Sequence, residues 1–371
     1  MPGPVTPWSS IRLTYRASPV DLTLVDPGAP GPSGGTIYND RLAAALGDAG
    51  HRVTMIPVRG DWPDASAHHH RVLAAALRDS PAGSVVLVDG LMASAAPEAV
   101  RAAVDAGVIV WVLLHLPLPA ETGLSGAEQA AFAASEEASL RHATGVICTS
   151  NWAREDLQRR YRLDRVHSVP PGTEPAEIAP GSSQEGSPHL LMLGSLTPRK
   201  NHSVVLAALA DVVDLPWTAS LVGGPLDGAH ATGLRELAGK LPPGRVAFPG
   251  VLRGPALDAD WARTDLLLLP SVAETFGMVV TEGLARGIPG VVGRGTGAVE
   301  ALTGGTAAND DGNLPGAVVD PSDPDRLSEL LRTWLTDAAL RQSWRTAALR
   351  RRDTLPTWAT TATTLLKIID P

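Results

Sequence analysis

Residues 270–300 read PSVAETFGMVVTEGLARGIPGVVGRGTGAVE. Just before them, Leu266–Leu269 is a short all-apolar run ending at Pro270, the pattern of a strand buried on both faces of a parallel sheet. A loop holding Glu274, Phe276 and Gly277 follows. MVVTEGLARG then carries apolar residues at helical spacing up to Gly287, a glycine suited to end the helix. IPGVVG reads as the next strand. Strand, loop, helix and strand within some 30 residues predict a doubly wound α/β layout.

Two carboxylates punctuate this unit. Glu274 sits in the loop before the helix and Glu282 about a turn inside it, so both can face a ligand at the helix N-terminus. That end favours anions, because its free N–H groups and its dipole point outward. An anion beside two carboxylates suggests a ligand with both phosphates and hydroxyls. The alternative is structural: Ser271 and Glu274 forming a capping box, with Glu282 as surface charge.

The wording PSVAETFGMVVTEGLARGIPGVV resembles the E-x7-E segment of retaining glycosyltransferases of the GT-B fold, family 4. The resemblance implies two Rossmann-like domains facing across a cleft. It also implies transfer of a sugar from a nucleoside-diphosphate sugar to an acceptor, with retained anomeric configuration. By the same resemblance Glu282 holds the ribose and Glu274 the donor-sugar hydroxyls. Backbone N–H groups of Phe276, Gly277 and Met278 help to hold sugar and phosphate.

Working outward, LGSLTPRKN (193–201) puts Arg199 and Lys200 between a strand and a helix. Two cations there can neutralise a diphosphate, Arg199 as a fork and Lys200 as a point charge. A solvated basic turn is the alternative. Family members often carry an arginine where this chain has Ser195, so Arg199 is expected to supply that charge. With cations bearing the leaving-group charge, no metal and no other cofactor is expected.

In the first half, Gly34 and Gly35 lie between the first strand and its helix, where glycine lets a backbone approach a ligand. The resemblance places them beside the donor. His115 ends the run VIVWVLLH, and strand C-terminal ends face the ligand crevice of such folds. The family often has a histidine here that contacts the donor sugar; a buried structural histidine is the alternative. His115, Glu274, Arg199 and Lys200 are thus the expected catalytic group. Gly34, Gly35, Arg199, Lys200, Glu274, Phe276, Gly277, Met278 and Glu282 are the expected donor contacts. Asp89 and Gly90 close another strand and are weaker candidates for the acceptor side. GRGTGAVE lacks the position of a dinucleotide fingerprint, and its Glu300 reads as structural.

Apolar runs separated by helix-length stretches continue along the chain. Residues 169–188, VPPGTEPAEIAPGSSQEGSP, break the pattern and read as a linker, with Gly181, Ser182, Ser183 and Gly186 suited to a hinge. The expected domains are 1–175 for the acceptor and 185–355 for the donor, with a tail helix in 356–371 crossing back.

The remaining features exclude more than they assign. The 371 residues are 44% hydrophobic and 19% charged, without a run long enough to span a membrane. A net charge of −8 argues against nucleic acid as a partner. MPGPVTPWSS lacks the layout of a secretion signal, and the single Cys148 cannot form an internal disulfide, so a cytoplasmic location is expected. The arginines at 154, 159, 160, 162 and 165 alternate with acids and read as a solvated face rather than a membrane patch. His68–His70 are adjacent on one helix and poorly placed to share a metal. Asp258-Ala-Asp260 and Asp323-Pro-Asp325 read as helix-start carboxylates rather than metal ligands. The expected partners are a nucleotide sugar and a small soluble acceptor. A GT-B phosphorylase, a sugar-nucleotide epimerase and a non-catalytic nucleotide-sugar-binding protein stay as alternatives. The donor's base and sugar, the acceptor and the oligomeric state stay open.

Overall fold

The structure, a computed structural model, describes residues 19–28, 33–182, 186–226, 228–305 and 314–369. Among the described residues twelve strands form two parallel sheets. The first holds β1 (Asp21–Asp26), β2 (Arg52–Pro57), β3 (Val85–Asp89), β4 (Ile109–Leu114), β5 (Gly145–Cys148) and β6 (Val166–Ser168), in the order β2-β1-β3-β4-β5-β6. The second holds β7 (His189–Leu193), β8 (Thr218–Val222), β9 (Val246–Gly250), β10 (Leu266–Leu269), β11 (Gly290–Gly293) and β12 (Gly316–Val319), in the order β12-β11-β10-β7-β8-β9. The expected pair of doubly wound sheets is present.

The central strands β4 and β10 are wholly apolar because helices cover both faces of each sheet, and Leu24, Leu87, Leu113, Leu190 and Leu268 are all buried. The helices end where the sequence says. Ser125 and Glu128 close a capping box on Gly126–His142, and Gly287, at φ +71°, follows the helix begun by Met278. Cys148 is fully buried in β5, which pushes its thiol up to about 12.

In each sheet the order reverses between two strands, β1 and β3 in the first and β10 and β7 in the second. Loops at the C-terminal ends diverge there and leave a crevice. Both crevices carry the residues discussed below.

The chain crosses between lobes twice, and the crossings lie side by side. Thr173 N–H donates to Pro356 O at 2.8 Å, and a side chain on Gly172 would run into the backbone of Trp358. The tail helix Trp358–Ile369 then packs Trp358, Leu365, Leu366 and Ile369 against Tyr38, Leu42 and Leu46 of the first lobe.

Two of the residues expected to form a hinge, Gly181 and Ser182, are fastened instead. Gly181, at φ +78°, packs against Asp265; Ser182 hydrogen-bonds to Asp265, and Ala179 N–H donates to Arg286 O at 3.0 Å. Ser183 lies outside the described residues. Residues 176–182 therefore travel with the second lobe.

Candidate active site

The second-lobe site is built by two loops that hold each other. After β7 the chain makes a short turn, Pro198–Lys200, and Asn201 follows in the left-handed region at φ +64°. The Asn201 amide donates to Pro270 O at 3.0 Å and to Pro321 O at 2.5 Å, and Val272 N–H donates to Arg199 O at 3.0 Å. The PRKN turn is thus tied to the PSVAE loop after β10, its neighbour in the sheet.

This brings Arg199, Lys200 and Glu274 together. Lys200 Nζ donates to Glu274 Oε2, with Arg199 Nη1 3.7 Å from the same oxygen. Burial alone would raise the Glu274 carboxyl, but Lys200 and then Arg199 outweigh it and hold it below the usual carboxylate range. Arg199 Nη1 also donates to Ala273 O at 2.9 Å, and its Nε lies 3.3 Å from Glu121 of the first lobe.

The helix Met278–Ala285 starts at Gly277, whose φ of +82° favours glycine; a side chain there would come within 2.9 Å of Leu269. No side chain caps this helix, so the capping box of Ser271 and Glu274 does not form. Phe276 is buried in the second-lobe core, while Met278 touches the cores of both lobes. Glu282, one turn further, is half-buried rather than surface charge. Burial pushes its carboxyl up, against the opposing pull of Arg286 and Arg41. Among the described residues its carboxylate has no hydrogen-bond or ion-pair partner.

The first-lobe side is ordered by His115, just past β4. Its Nε2 is 2.9 Å from Asn39 Oδ1 and 3.5 Å from Asp89 Oδ2. Burial lowers the His115 pKa, with Asp89 opposing. Gly35 has a packing reason to be glycine, since a Cβ would lie 2.9 Å from His115 Cδ2. A Cβ on Gly34 would meet no described residue within 4 Å. Asp89 is 4% exposed and turned onto Asn39 and the backbone of Leu91; Gly90 packs under Leu114.

The lobes are stitched beside the site. Thr275, next to Glu274, donates its hydroxyl to His115 O, and Ser150 Oγ donates to Thr275 O at 2.5 Å. Glu300 accepts from the backbone N–H groups of Asn151 and Trp152 at 3.1 and 3.0 Å, capping a first-lobe helix from the second lobe. A cavity of about 440 Å³ lies at this junction, lined by Leu116, Pro117, Trp152, Arg160, Glu274 and Thr275. Arg159 and Arg160, read from sequence as a solvated face, flank it and pair with Asp156.

The D-x-D segments are otherwise occupied. Asp323 caps the helix Pro324–Thr336. Asp260 is not at a helix start but near the end of Pro255–Ala262, where it is buried and bonded to Arg263 and Ser220. Among the described residues no group of three potential metal ligands occurs, and no helix is long and apolar enough to cross a membrane.

Known proteins share both the fold and the sequence pattern. Residues 33–172 match the model of the glycosyl transferase 4-like domain, and residues 174–351 that of the glycosyl transferases group 1. The chain is 30% identical over 254 residues to D-inositol 3-phosphate glycosyltransferase 1 of Catenulispora acidiphila, covering 63% of this chain and 58% of that protein. It is 32% identical over 176 residues to the GDP-mannose-dependent alpha-mannosyltransferase of Mycolicibacterium smegmatis, covering 45% of this chain and 44% of that protein. The matched region thus spans 58% of the length of the first of these relatives and 44% of the second. Among solved structures, sucrose-phosphate synthase of Thermosynechococcus elongatus superposes with a TM-score of 0.74 at 20% identity, over 94% of this chain and 98% of that one. Anabaena Alr3699/HepE in complex with UDP superposes with a TM-score of 0.69 at 18% identity, over 94% and 98%. With the two family models lying end to end on two Rossmann-like lobes, the chain belongs to the GT-B glycosyltransferases of family 4.

Proposed function

We propose that this protein transfers a sugar from a nucleoside-diphosphate sugar to a small hydroxylated acceptor, with retention at the anomeric carbon and without a metal ion. The observation that carries the reading is the cluster of Arg199, Lys200 and Glu274 at the sheet reversal, one helical turn from the unpartnered Glu282. The diphosphate lies on Arg199, Lys200 and the N-terminus of the Met278–Ala285 helix, and Glu282 takes the ribose hydroxyls. Glu274 takes hydroxyls of the sugar, and His115 faces that sugar from the first lobe. The two cations and the helix end bear the leaving charge, the task a metal performs elsewhere. The leaving diphosphate oxygen accepts the proton of the attacking hydroxyl. Glycosyltransferases of inositol phosphate and of GDP-mannose among the relatives, and UDP-glucose in the HepE structure, support a nucleotide sugar and leave its base and sugar free.

A panel of UDP-, GDP-, ADP- and dTDP-sugars with polyol and sugar-phosphate acceptors tests this, the product anomer being read by proton NMR. Transfer with retention is expected. An inverted product contradicts the mechanism, and phosphate-dependent cleavage without an acceptor shows a phosphorylase.

A further inference from the structure

The two nitrogens of His115 have unequal surroundings, and a chain of hydrogen bonds decides which one carries the proton. Asn39 Nδ2 is 2.8 Å from Asp89 Oδ2, and Asn39 Oδ1 is 2.9 Å from His115 Nε2. An ionised carboxylate only accepts, so the amide turns its NH2 to Asp89 and its oxygen to the ring. That oxygen also only accepts, so Nε2 carries the hydrogen. A neutral imidazole has one N–H, which leaves Nδ1 with a free lone pair.

The surroundings lock this arrangement. Asn39 is 0% and Asp89 4% exposed. The other Asp89 oxygen accepts from Leu91 N–H at 2.9 Å, so the carboxylate cannot turn away. Tyr38 packs edge-on to the ring at 5.1 Å, and Gly35 leaves it the space it fills. Among the described residues no protein group bonds Nδ1. The carbonyl of His115 accepts from the hydroxyl of Thr275, so the backbone that carries the ring is tied to the loop of Glu274.

We propose that Asn39 is a positioning residue: held by Asp89, it fixes His115 as the Nε2–H tautomer, so that Nδ1 accepts a hydrogen bond from a hydroxyl of the bound sugar. The inference rests on the sugar-transfer reading above. Its chemistry is selective, since a lone pair welcomes a hydroxyl and repels an ionised phosphate oxygen at the same spot. It also gives the glycine after Gly34 a role in holding the histidine rather than the phosphates.

The tautomer can be read directly. Long-range proton–nitrogen correlation on the full chain, labelled with ¹⁵N-histidine, distinguishes Nε2–H from Nδ1–H, with His115 assigned by its loss in His115→Gln. The Nε2–H form is expected in the free wild-type protein near pH 7, and a mixture in Asn39→Leu. With UDP-glucose and GDP-mannose in the donor panel, Asn39→Leu is expected to lower kcat about five- to tenfold, the worth of one misdirected hydrogen bond, and leave UDP and GDP affinity unchanged. An Nδ1–H or charged ring in the wild type overturns the proposal without any variant having to fold. An unchanged tautomer or unchanged kcat in Asn39→Leu overturns the positioning role. The expected tautomer with no donor turned over overturns the sugar half together with the reading it rests on, and so is told apart from a failure of the tautomer.

Discussion

Arg199 of the second lobe reaches across the cleft to Glu121 of the first, Nε to Oε2 at 3.3 Å. The cation read as a diphosphate ligand is therefore also engaged by a carboxylate from the opposite lobe. On the proposed reading, a diphosphate competes with Glu121 for this guanidinium. Glu121 is 42% exposed, so the pair is worth only about 0–1 kcal/mol. Glu121→Gln should tighten UDP or GDP binding by a factor of up to about five by calorimetry. Weaker binding in that variant means that Glu121 contacts the ligand instead.

Glu282 is half-buried and its carboxylate has no hydrogen-bond or ion-pair partner among the described residues, which costs the folded protein stability. Glu282→Ala should weaken nucleoside-diphosphate binding by about 1–3 kcal/mol. The pH dependence has a definite sign. Its folded pKa is raised, so below the unfolded value the carboxyl is neutral in both states and the penalty is absent. As pH rises through the unfolded and then the folded value, ionisation costs the folded state more. Urea unfolding of Glu282→Gln should therefore show a stability gain over the wild type that grows upward from about pH 4.5. A gain that shrinks with rising pH contradicts the assignment.

Turnover should survive EDTA. Asp260 is committed to Arg263 and Ser220, and Asp323 to a helix cap, while Arg199 and Lys200 are the cations on which the proposed mechanism relies. Activity abolished by chelation and restored by Mg²⁺ would show that one of these acidic segments serves the reaction.

The tail helix is part of the first-lobe core. Leu365 is fully buried in the cluster with Leu42 and Leu46, so Leu365→Ala should cost about 2–5 kcal/mol in urea unfolding. Nucleotide affinity, which belongs to the second lobe, should stay within twofold or so, allowing for the ~0.5 kcal/mol to which distant sites are additive. Deleting 356–371 would accordingly unfold the first lobe rather than merely loosen it.

Much of this was legible in the sequence, for local reasons. LLLL before a proline and GVVG after Gly287 are short-range signals, and the strands appear where they point. The grouping of Arg199, Lys200 and Glu274 came from the family resemblance, and the structure achieves it by two loops leaving adjacent strands. Val166–Ser168 escaped notice because three residues, two of them polar, carry no periodicity. Glu121 on Arg199, Glu300 on Asn151 and the Asp89–Asn39–His115 chain are contacts across 50 to 149 positions, and no local pattern announces them. The linker misled for the opposite reason. Its glycines and serines look mobile, but Asp265, Arg286 and Ala262 take up its backbone.

The central claim is that a diphosphate sits on the PRKN turn. Calorimetric titration of UDP and GDP into the wild type and into Lys200→Ala, with uridine and guanosine as controls, tests it most directly. The account predicts that at least one nucleoside diphosphate binds, that its bare nucleoside binds more weakly, and that Lys200→Ala loses about 1.5–3 kcal/mol of the diphosphate's affinity and none of the nucleoside's. A Lys200→Ala protein that is folded and binds the diphosphate as the wild type does would contradict it.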